Sequence, residues 1–387
     1  MKYNHLSLTW FGDITSCAEE AQYARTILEL LIKGGAKVRL ELLNSGMLPE
    51  ELTPWWVETI PKLTQAHPGL IRINHCNPDK GGLNPFGNAN ILLTHWDTLD
   101  FPQSWIGQLS KYTEVWGSSF NENIITFIPG TDKIYKNFPV TIESYSDQLS
   151  PVNLPDIGSS NPIIFGVINQ WNQKSNMHDL IIAYCVEFNN NDNVVLVIKT
   201  GANGTNTDPN QKAQIVNLVK SIKGTVNKPN LPKIVLIQDN LSELSLAKLV
   251  STFNIYVSTN RGAALDNHFM RAVSNGKIAI VPRTGIYTTA NRLLGTANKQ
   301  IRIVNSYKEP VVNSPGASPL DKWTRIDIDQ LCKEMRIAYI DQQTSNSAVL
   351  KKIESNKEVI KEKLSPDVVV DKIAKELEAL MPVVKTF

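Results

Sequence analysis

Apolar positions along the chain fall into short continuous runs separated by stretches of helical period, first in one block and then in a second. His5-Leu-Ser-Leu-Thr-Trp-Phe11 reads as a strand. Ala18 to Lys33 reads as a helix with Ala21, Ala24, Ile27, Leu28 and Leu31 on one face, ended by Gly34-Gly35. Ala36 to Leu43 is the next strand. The opening is therefore one β-α-β unit whose strands should be parallel and whose crossover should be right-handed. Trp55 to Asp79 is less regular and yields only a short helix, Val57 to Ala66. Asn90 to His95 and Thr113 to Gly117 are further strands, with a helix at Gln103 to Ser110 between them.

The period lapses in Ser150-Pro-Val-Asn-Leu-Pro-Asp-Ile-Gly-Ser-Ser-Asn-Pro162, whose prolines and lack of pattern suit a linker. Beyond it the alternation restarts. Strands are expected at Ile163 to Ile168, Val194 to Lys199, Lys233 to Gln238, Asn254 to Ser258 and Lys277 to Pro282. Helices are expected at Met177 to Phe188, Gln211 to Lys223, Leu241 to Thr252 and Asn267 to Asn275. The third of these opens with Asn240 and Glu243 spaced as a capping box. Five strands alternating with helices imply a doubly wound parallel sheet, which displays its ligands at the carboxyl ends of the strands. The expected fold class is α/β, with two Rossmann-like doubly wound parallel-sheet domains facing a cleft, over residues 1–154 and 161–348.

Composition narrows this only a little. At 387 residues two domains are the prior, and 42% hydrophobic residues suffice for two cores. Lys+Arg 39 against Asp+Glu 37 gives a net charge of +2, so no basic excess calls for nucleic acid. Cys17, Cys76, Cys185 and Cys332 are scattered without CxxC or metal spacing, which reads as reduced thiols. No run nears 18 apolar residues and Met1-Lys-Tyr-Asn-His-Leu6 lacks a signal-peptide core, so a cytoplasmic protein without a membrane span is expected.

The most informative segment is Asn260-Arg-Gly-Ala-Ala-Leu-Asp-Asn-His-Phe-Met-Arg-Ala-Val-Ser-Asn-Gly276, followed by the apolar strand Lys277 to Pro282. It resembles the donor-sugar loop of family 4 glycosyltransferases (glycosyl transferases group 1), Ser-Arg-Gly-Glu-Gly-x-Gly-Leu-Pro-x-x-Glu-Ala-Met-Ala-x-Gly, without a gap. The family's two Glu positions fall on Ala263 and Arg271. Other pieces resemble that family in order. They are Leu8 to Ala21, Thr113-Glu-Val-Trp-Gly-Ser-Ser-Phe-Asn121, Phe165 to Asn176 with Leu180 to Tyr184, Ile234 to Leu249, and the segment Asp321 to Arg336, which matches a helix near the family's C-terminus. The resemblance implies a GT-B fold with an acceptor-side first domain and a second domain that binds the nucleotide sugar. It also implies a terminal helix, within 365–387, that packs back on the first domain. Val368, Ile373, Leu377 and Leu380 have the apolar spacing for that.

A sugar transferase must hold a diphosphate, offset the charge that builds on it as the sugar leaves, and fix sugar and nucleoside hydroxyls. The family's phosphate-binding Arg and Lys fall on Gln170 and Ser175, with Lys174 one residue early; Lys174 is either their substitute or a solvated loop lysine. Ala263 offers no hydrogen bond, and Arg271 only donates, which suits a phosphate or carboxylate rather than a ribose. Asp266 and His268 stay polar in the same loop, Asp266 being equally suited to capping a helix. Arg261, Gly262, Asn240, Leu241 and Ser242 complete the expected donor-binding set. His95-Trp96-Asp97 follows a strand end, so His95 and Asp97 join Lys174 as catalytic candidates, against a structural reading of His95. Gly12 and Asp13 lie at the end of the first strand, where Gly12 would let backbone approach a phosphate. Trp55, Trp56 and Trp171 suit either stacking or core packing.

The function implied is hexosyl transfer from a UDP- or GDP-sugar, with retention and without a bound metal or other cofactor. The acceptor, whether glycan, protein, lipid or nucleic acid, is not specified by any residue. One alternative is a catalytically silent relative that binds, or partners an active transferase subunit, which the two missing carboxylates favour. Another is transfer to modified nucleic acid, which the near-neutral charge disfavours.

Overall fold

The computed structural model describes residues 1–16, 18–43, 52–84, 89–117, 135–138, 161–200, 209–295, 297–312 and 320–381, with 128, 132, 140, 149, 152, 154, 157 and 318. Cys17 and most of the expected linker at 150–162 lie outside the described residues. The chain divides into two compact units, one of residues 1–143, 314–321 and 361–387, the other of residues 144–313 and 322–360.

The first unit runs β1 (Ser7–Gly12), α1 (Glu19–Lys33), β2 (Lys37–Leu42), α2 (Pro54–Thr64), β3 (Ile71–His75), β4 (Ala89–Leu93), α3 (Gln103–Ile106), β5 (Glu114–Gly117) and β6 (Tyr135–Asn137). Every pairing is parallel, in the order β2-β1-β3-β4-β5-β6. The direction of strand addition therefore reverses between β1 and β3. β3 and β4 are buried along their whole length, as strands covered on both faces must be.

Two of these strands were not expected from the pattern. β6 is only three residues long, and β3, Ile71-Arg-Ile-Asn-His75, hides behind its polar side chains. Those side chains are buried because other strands satisfy them. Arg72 donates to Glu41 at 2.7 Å and to Asn74 at 3.0 Å, while Asn74 donates to Asn90 at 2.8 Å. Partners of that kind leave no trace in the local period.

The second unit runs β7 (Ile163–Ile168), α4 (Met177–Glu187), β8 (Val194–Lys199), α5 (Pro209–Thr225), β9 (Lys233–Ile237), α6 (Glu243–Thr252), β10 (Ile255–Val257), α7 (Asn267–Ser274), β11 (Ile278–Pro282), α8 (Gly285–Leu294) and β12 (Ile301–Val304). It continues with the hairpin β13 (Ser306–Pro310) and β14 (Lys322–Ile326), then α9 (Ile328–Gln343) and α10 (Ser347–Leu364). Its sheet is parallel and ordered β12-β11-β10-β7-β8-β9. Six strands stand where five were expected, and the reversal lies between β7 and β10.

The start of α6 is also corrected. Its cap is Ser242, whose Oγ accepts from Ser245 N at 3.2 Å, rather than Asn240. The segment Asp321 to Arg336, expected to match a helix, is half strand. Lys322–Ile326 pairs antiparallel with β13, and the helix begins only after Asp327, whose carboxylate accepts from Gln330 N at 2.9 Å.

The last helix, α11 (Pro366–Leu380), packs on α1 within the first unit. Val369, Val370, Ile373, Ala374 and Leu377 are its buried stripe, with Val368 and Leu380 at the margins. Each of the buried Val, Ile and Leu side chains there contributes about 1.5–3 kcal/mol. Polar contacts fix the register. Lys2 and Tyr3 both bond Asp371, His5 meets Glu378 at 2.7 Å, and Lys136 meets Glu376 at 2.7 Å.

Candidate functional site

In an open parallel sheet the loops on either side of a reversal diverge and leave a crevice at the carboxyl edge, where ligands bind. The strand orders put that point between β7 and β10 in the second unit and between β1 and β3 in the first. Most of the candidate residues fall at these two edges.

At the edge of the second sheet, the loop after β7 is stitched to the loop after β10. Asn169 donates to Asn260 at 2.5 Å. Thr259 Oγ1 donates to the carbonyls of Ser175 (2.9 Å) and Asn176 (3.0 Å). Arg261 donates from its amide to Lys174 O at 2.8 Å and from Nε to Gln173 O at 2.9 Å. Its guanidinium also bonds Asn176 Oδ1 and pairs with Glu309. Arg261 thus clamps the 170–176 loop.

Ser175 is buried and tied to Asn172 through its Oγ and amide, while Gln170 is exposed and Lys174 half-buried. Asn176 takes a left-handed conformation (φ 50°) and holds Asp179, a buried carboxylate that Arg325 grips with two nitrogens. Burial works to raise Asp179, yet the bonds from Arg325, Asn176 and His178 hold it below the usual carboxylate range.

Behind these loops sits a buried polar network. Asp266 is the N-cap of α7 and accepts from Phe269 N at 2.8 Å, Tyr287 OH at 2.7 Å and Tyr256 OH at 3.1 Å. Tyr287 OH also accepts from Asn260 Nδ2 at 3.0 Å and meets Ser258 Oγ at 2.8 Å. A continuous chain therefore links the carboxylate to Asn169 at the tip of β7. Burial raises Asp266 above its ordinary value, against the opposing pull of Phe269 N, both tyrosines and the Lys174 charge. The last of these places Lys174 within electrostatic reach of the head of α7.

Ala263, at the family's first Glu position, is buried, and its carbonyl accepts from Ile286 N at 2.9 Å. Gly285 (φ +45°) allows that approach, since a Cβ there would lie 2.0 Å from the Ala263 carbonyl oxygen. Gly262 is buried beside it.

His268 lies in the first turn of α7 with Nδ1 buried and without a hydrogen-bond partner. Burial first, then the charges of Arg271 and Lys199, press it down to about 3. Arg271, at the second Glu position, is buried and donates to Glu243 at 2.8 Å, so α7 is pinned to the first turn of α6. Asn240 and Ser242 are exposed ahead of α6 and Leu241 is half-buried between them.

Sequence reasoning missed Tyr256, Tyr287 and Lys199. Lys199 ends β8 almost wholly buried, its Nζ bonding the Thr200 carbonyl at 3.3 Å, and burial lowers it. A lysine closing an apolar strand run was the available signal for it.

At the edge of the first sheet, Gly12 is in register with His75. A Cβ on Gly12 would meet the His75 carbonyl oxygen at 2.7 Å, so only glycine fits against β3. Asp13 Oδ1 accepts from Thr15 N at 2.9 Å and Ser16 N at 3.1 Å. Burial works to raise it, but those bonds and the hydroxyls of Ser16 and Thr15 hold it low. His95 faces His75, Nε2 to Nε2, at 3.0 Å. Asp97 is half-buried two residues on. His75 was missed because β3 was.

Trp56 is buried, Trp55 packs edge-on against it, and Trp171 lies on the second core, so all three serve packing. Among the described residues no three His, Cys, Asp or Glu side chains gather as metal ligands would, and no helix is long and apolar enough to cross a membrane. The chain's single Asp-x-Asp, Asp327-Ile-Asp329, lies at the head of α9, where Asp327 is the helix cap. Cys76, Cys185 and Cys332 are free thiols.

Two six-stranded parallel sheets flanked by helices define the GT-B glycosyltransferase fold, and solved structures of that class match nearly the whole chain. Sucrose-phosphate synthase of Thermosynechococcus elongatus superposes with a TM-score of 0.64 at 13% identity, over 97% of this chain and 99% of that one. The trehalose-6-phosphate protein of E. coli bound with UDP-2-fluoro glucose gives 0.63 at 12% identity, over 97% and 100%. HepE of Anabaena in complex with UDP and glucose gives 0.61 at 11% identity, over 96% and 100%. No protein-family model and no curated protein matches the sequence.

Proposed function

We propose that the chain is a glycosyltransferase that takes a UDP- or GDP-sugar as donor, retains anomeric configuration and needs no bound metal. The observation that carries this reading is the stitched edge of the second sheet. Segments 169–176, 258–261 and 266–268 meet there at the strand-order reversal, in a fold whose solved examples include complexes with UDP and glucose.

In this reading the nucleotide lies across the residues 170–176, 239–242 and 261–271. The first amides of α7 face the diphosphate, since a helix N-terminus carries partial positive charge. Lys174 offsets the charge that grows on the leaving phosphate. Arg261, Asp266 and Arg271 hold the loops in place, each through the partners already described. At the edge of the first sheet, His95 is the catalytic candidate that polarises an oxygen or handles a proton.

The same commitments favour a second reading. Asp266 and Arg271 are engaged internally and Ala263 is apolar, so the donor loop has no free carboxylate for sugar hydroxyls, as a silent binding subunit would not. A thermal-shift panel of nucleoside diphosphates and their sugars tests the donor-binding claim. A ligand at 100 times its dissociation constant should add about 2.7 kcal/mol of stability. A panel with no shift for any UDP or GDP compound contradicts both readings of the second unit as a nucleotide site.

A further inference from the structure

A cavity of about 210 Å³ in the first unit is lined by none of the candidate donor or catalytic residues. Its apolar side is Phe101, Ile106 and Ile128, which belong to or pack on the core of that unit. Phe101 packs against Trp96 (5.0 Å between ring centroids) and Trp105 (5.7 Å), so this wall is held in place by its own neighbours. The polar side is Asp100 and Gln103, both exposed, and Asp321, which is 6% exposed. No basic side chain lines the cavity among the described residues.

Four carboxylates are buried among the described residues, those of Glu114, Asp179, Asp266 and Asp321. Glu114 is met by Lys136 and Trp116 Nε1, Asp179 by Arg325 and Asn176, and Asp266 by two tyrosines and an amide. Asp321 differs. It has one side-chain bond, from Ser318 N to Oδ2 at 2.7 Å, and no cation among the described residues. Asp321 N bonds back to Ser318 O at 3.0 Å, which closes a turn whose last two residues, Leu320 and Asp321, line the cavity. A buried carboxylate with neither a cation nor a set of donors keeps most of its desolvation cost uncompensated.

We propose that this cavity binds a small organic cation, a primary ammonium group on an apolar body, whose charge pairs with Asp321 and whose body packs on Phe101, Ile106 and Ile128. The volume lies below the about 300–1,000 Å³ of sites for drug-sized ligands, so the ligand is small. A metal ion fits less well, because it takes several oxygen ligands and keeps its water, whereas one side of this cavity is hydrocarbon. An anion would be repelled by both carboxylates, and a neutral ligand would leave the Asp321 charge unmatched. Asp100 and Gln103 add exposed acceptors for the remaining ammonium protons. The site is independent of sugar transfer.

The test is titration of the whole chain with phenethylamine, phenethyl alcohol and phenylacetate, which share one body and differ in charge, read by ligand-observed NMR. The amine should bind the wild type at least about tenfold more tightly than the alcohol, and phenylacetate should not bind. Asp321→Asn keeps an oxygen for Ser318 N and removes the charge. It should weaken the amine at least about tenfold, leave the alcohol as it was, and melt no lower than the wild type, because an unmatched buried charge is lost and no partner with it. Asp100→Asn, at an exposed carboxylate, should weaken the amine no more than about fivefold. Amine and alcohol bound alike by the wild type, or no amine bound up to about 10 mM, would overturn the proposal. Amine binding undiminished in Asp321→Asn would do the same. An Asp321→Asn chain that melts lower or fails to fold would assign the carboxylate to the fold, and would also overturn it.

Discussion

Acidification from pH 7 to pH 5 should weaken both units, the first more than the second. His75 and His95 in the first unit and His268 in the second are held below the ordinary histidine value chiefly by burial. The sign follows from linkage. A group whose folded value lies below its unfolded one leaves the unfolded chain binding the proton first, so stability is full above about 6.5 and is lost as pH falls. For His95 and His268 the loss continues down to about 3. At pH 5, about 1.5 units below the unfolded value, each site costs at most about 2 kcal/mol. The first unit therefore loses up to about 4 kcal/mol and the second about 2, against a typical net stability of about 5–15 kcal/mol. Asp266, raised by burial, acts with the opposite sign and trims the loss in the second unit alone. Hydrogen exchange read separately on the amides of β3 and β4 and of β10 and β11 resolves the two units, provided intrinsic exchange rates are corrected for pH. Opening free energies unchanged between pH 7 and pH 5 would mean that these rings take up protons in the fold as readily as in the unfolded chain, and the reasoning would fail.

Four substitutions extend the account. Tyr287→Phe removes a donor to the buried Asp266 carboxylate and should cost about 1.5–3 kcal/mol in urea denaturation; a loss below about 0.5 kcal/mol would mean the network is not closed in solution. Arg271→Glu, which introduces the residue of the resembled motif, would set a second carboxylate against Glu243 and should cost about 3–5 kcal/mol, with Glu243→Arg in the same chain recovering much of it. Gly285→Ala forces a Cβ onto the Ala263 carbonyl at positive φ and should cost more than about 1 kcal/mol, seen as a lowered melting temperature. Lys174→Ala should reduce turnover more than nucleoside affinity, because a phosphate cation acts most as the leaving group gains charge; equal losses in both would assign it to ground-state binding.

How far the sequence could be read depended on whether a residue's partners lie nearby. β7 and β8 were legible to the residue, because central parallel strands are unbroken apolar runs between loops. β3 was not, since Arg72, Asn74 and His75 are buried against polar groups from β2, β4 and the segment after it. The segment 260–276 stood out by its resemblance to a motif, and its helix begins at Asn267 as expected. What its residues do was only half legible. The capping role open to Asp266 is present, but the two tyrosines that lock it come from β10 and α8, 10 and 21 residues away. The partner of Arg271 lies 28 residues earlier on α6. His95 stood out at a strand end, whereas its companion His75 belonged to a strand the period did not reveal.

The most direct test of the central claim is release of free sugar from a panel of UDP- and GDP-sugars by the purified wild-type chain, beside Lys174→Ala. A nucleotide-sugar transferase with its donor at the edge of the second sheet should hydrolyse at least one donor slowly, and Lys174→Ala should abolish that release while the chain stays folded. No release from any donor, with nucleoside diphosphates still bound, would contradict catalysis and leave a binding protein. Release undiminished in Lys174→Ala would contradict the placement of the donor phosphates beside that lysine.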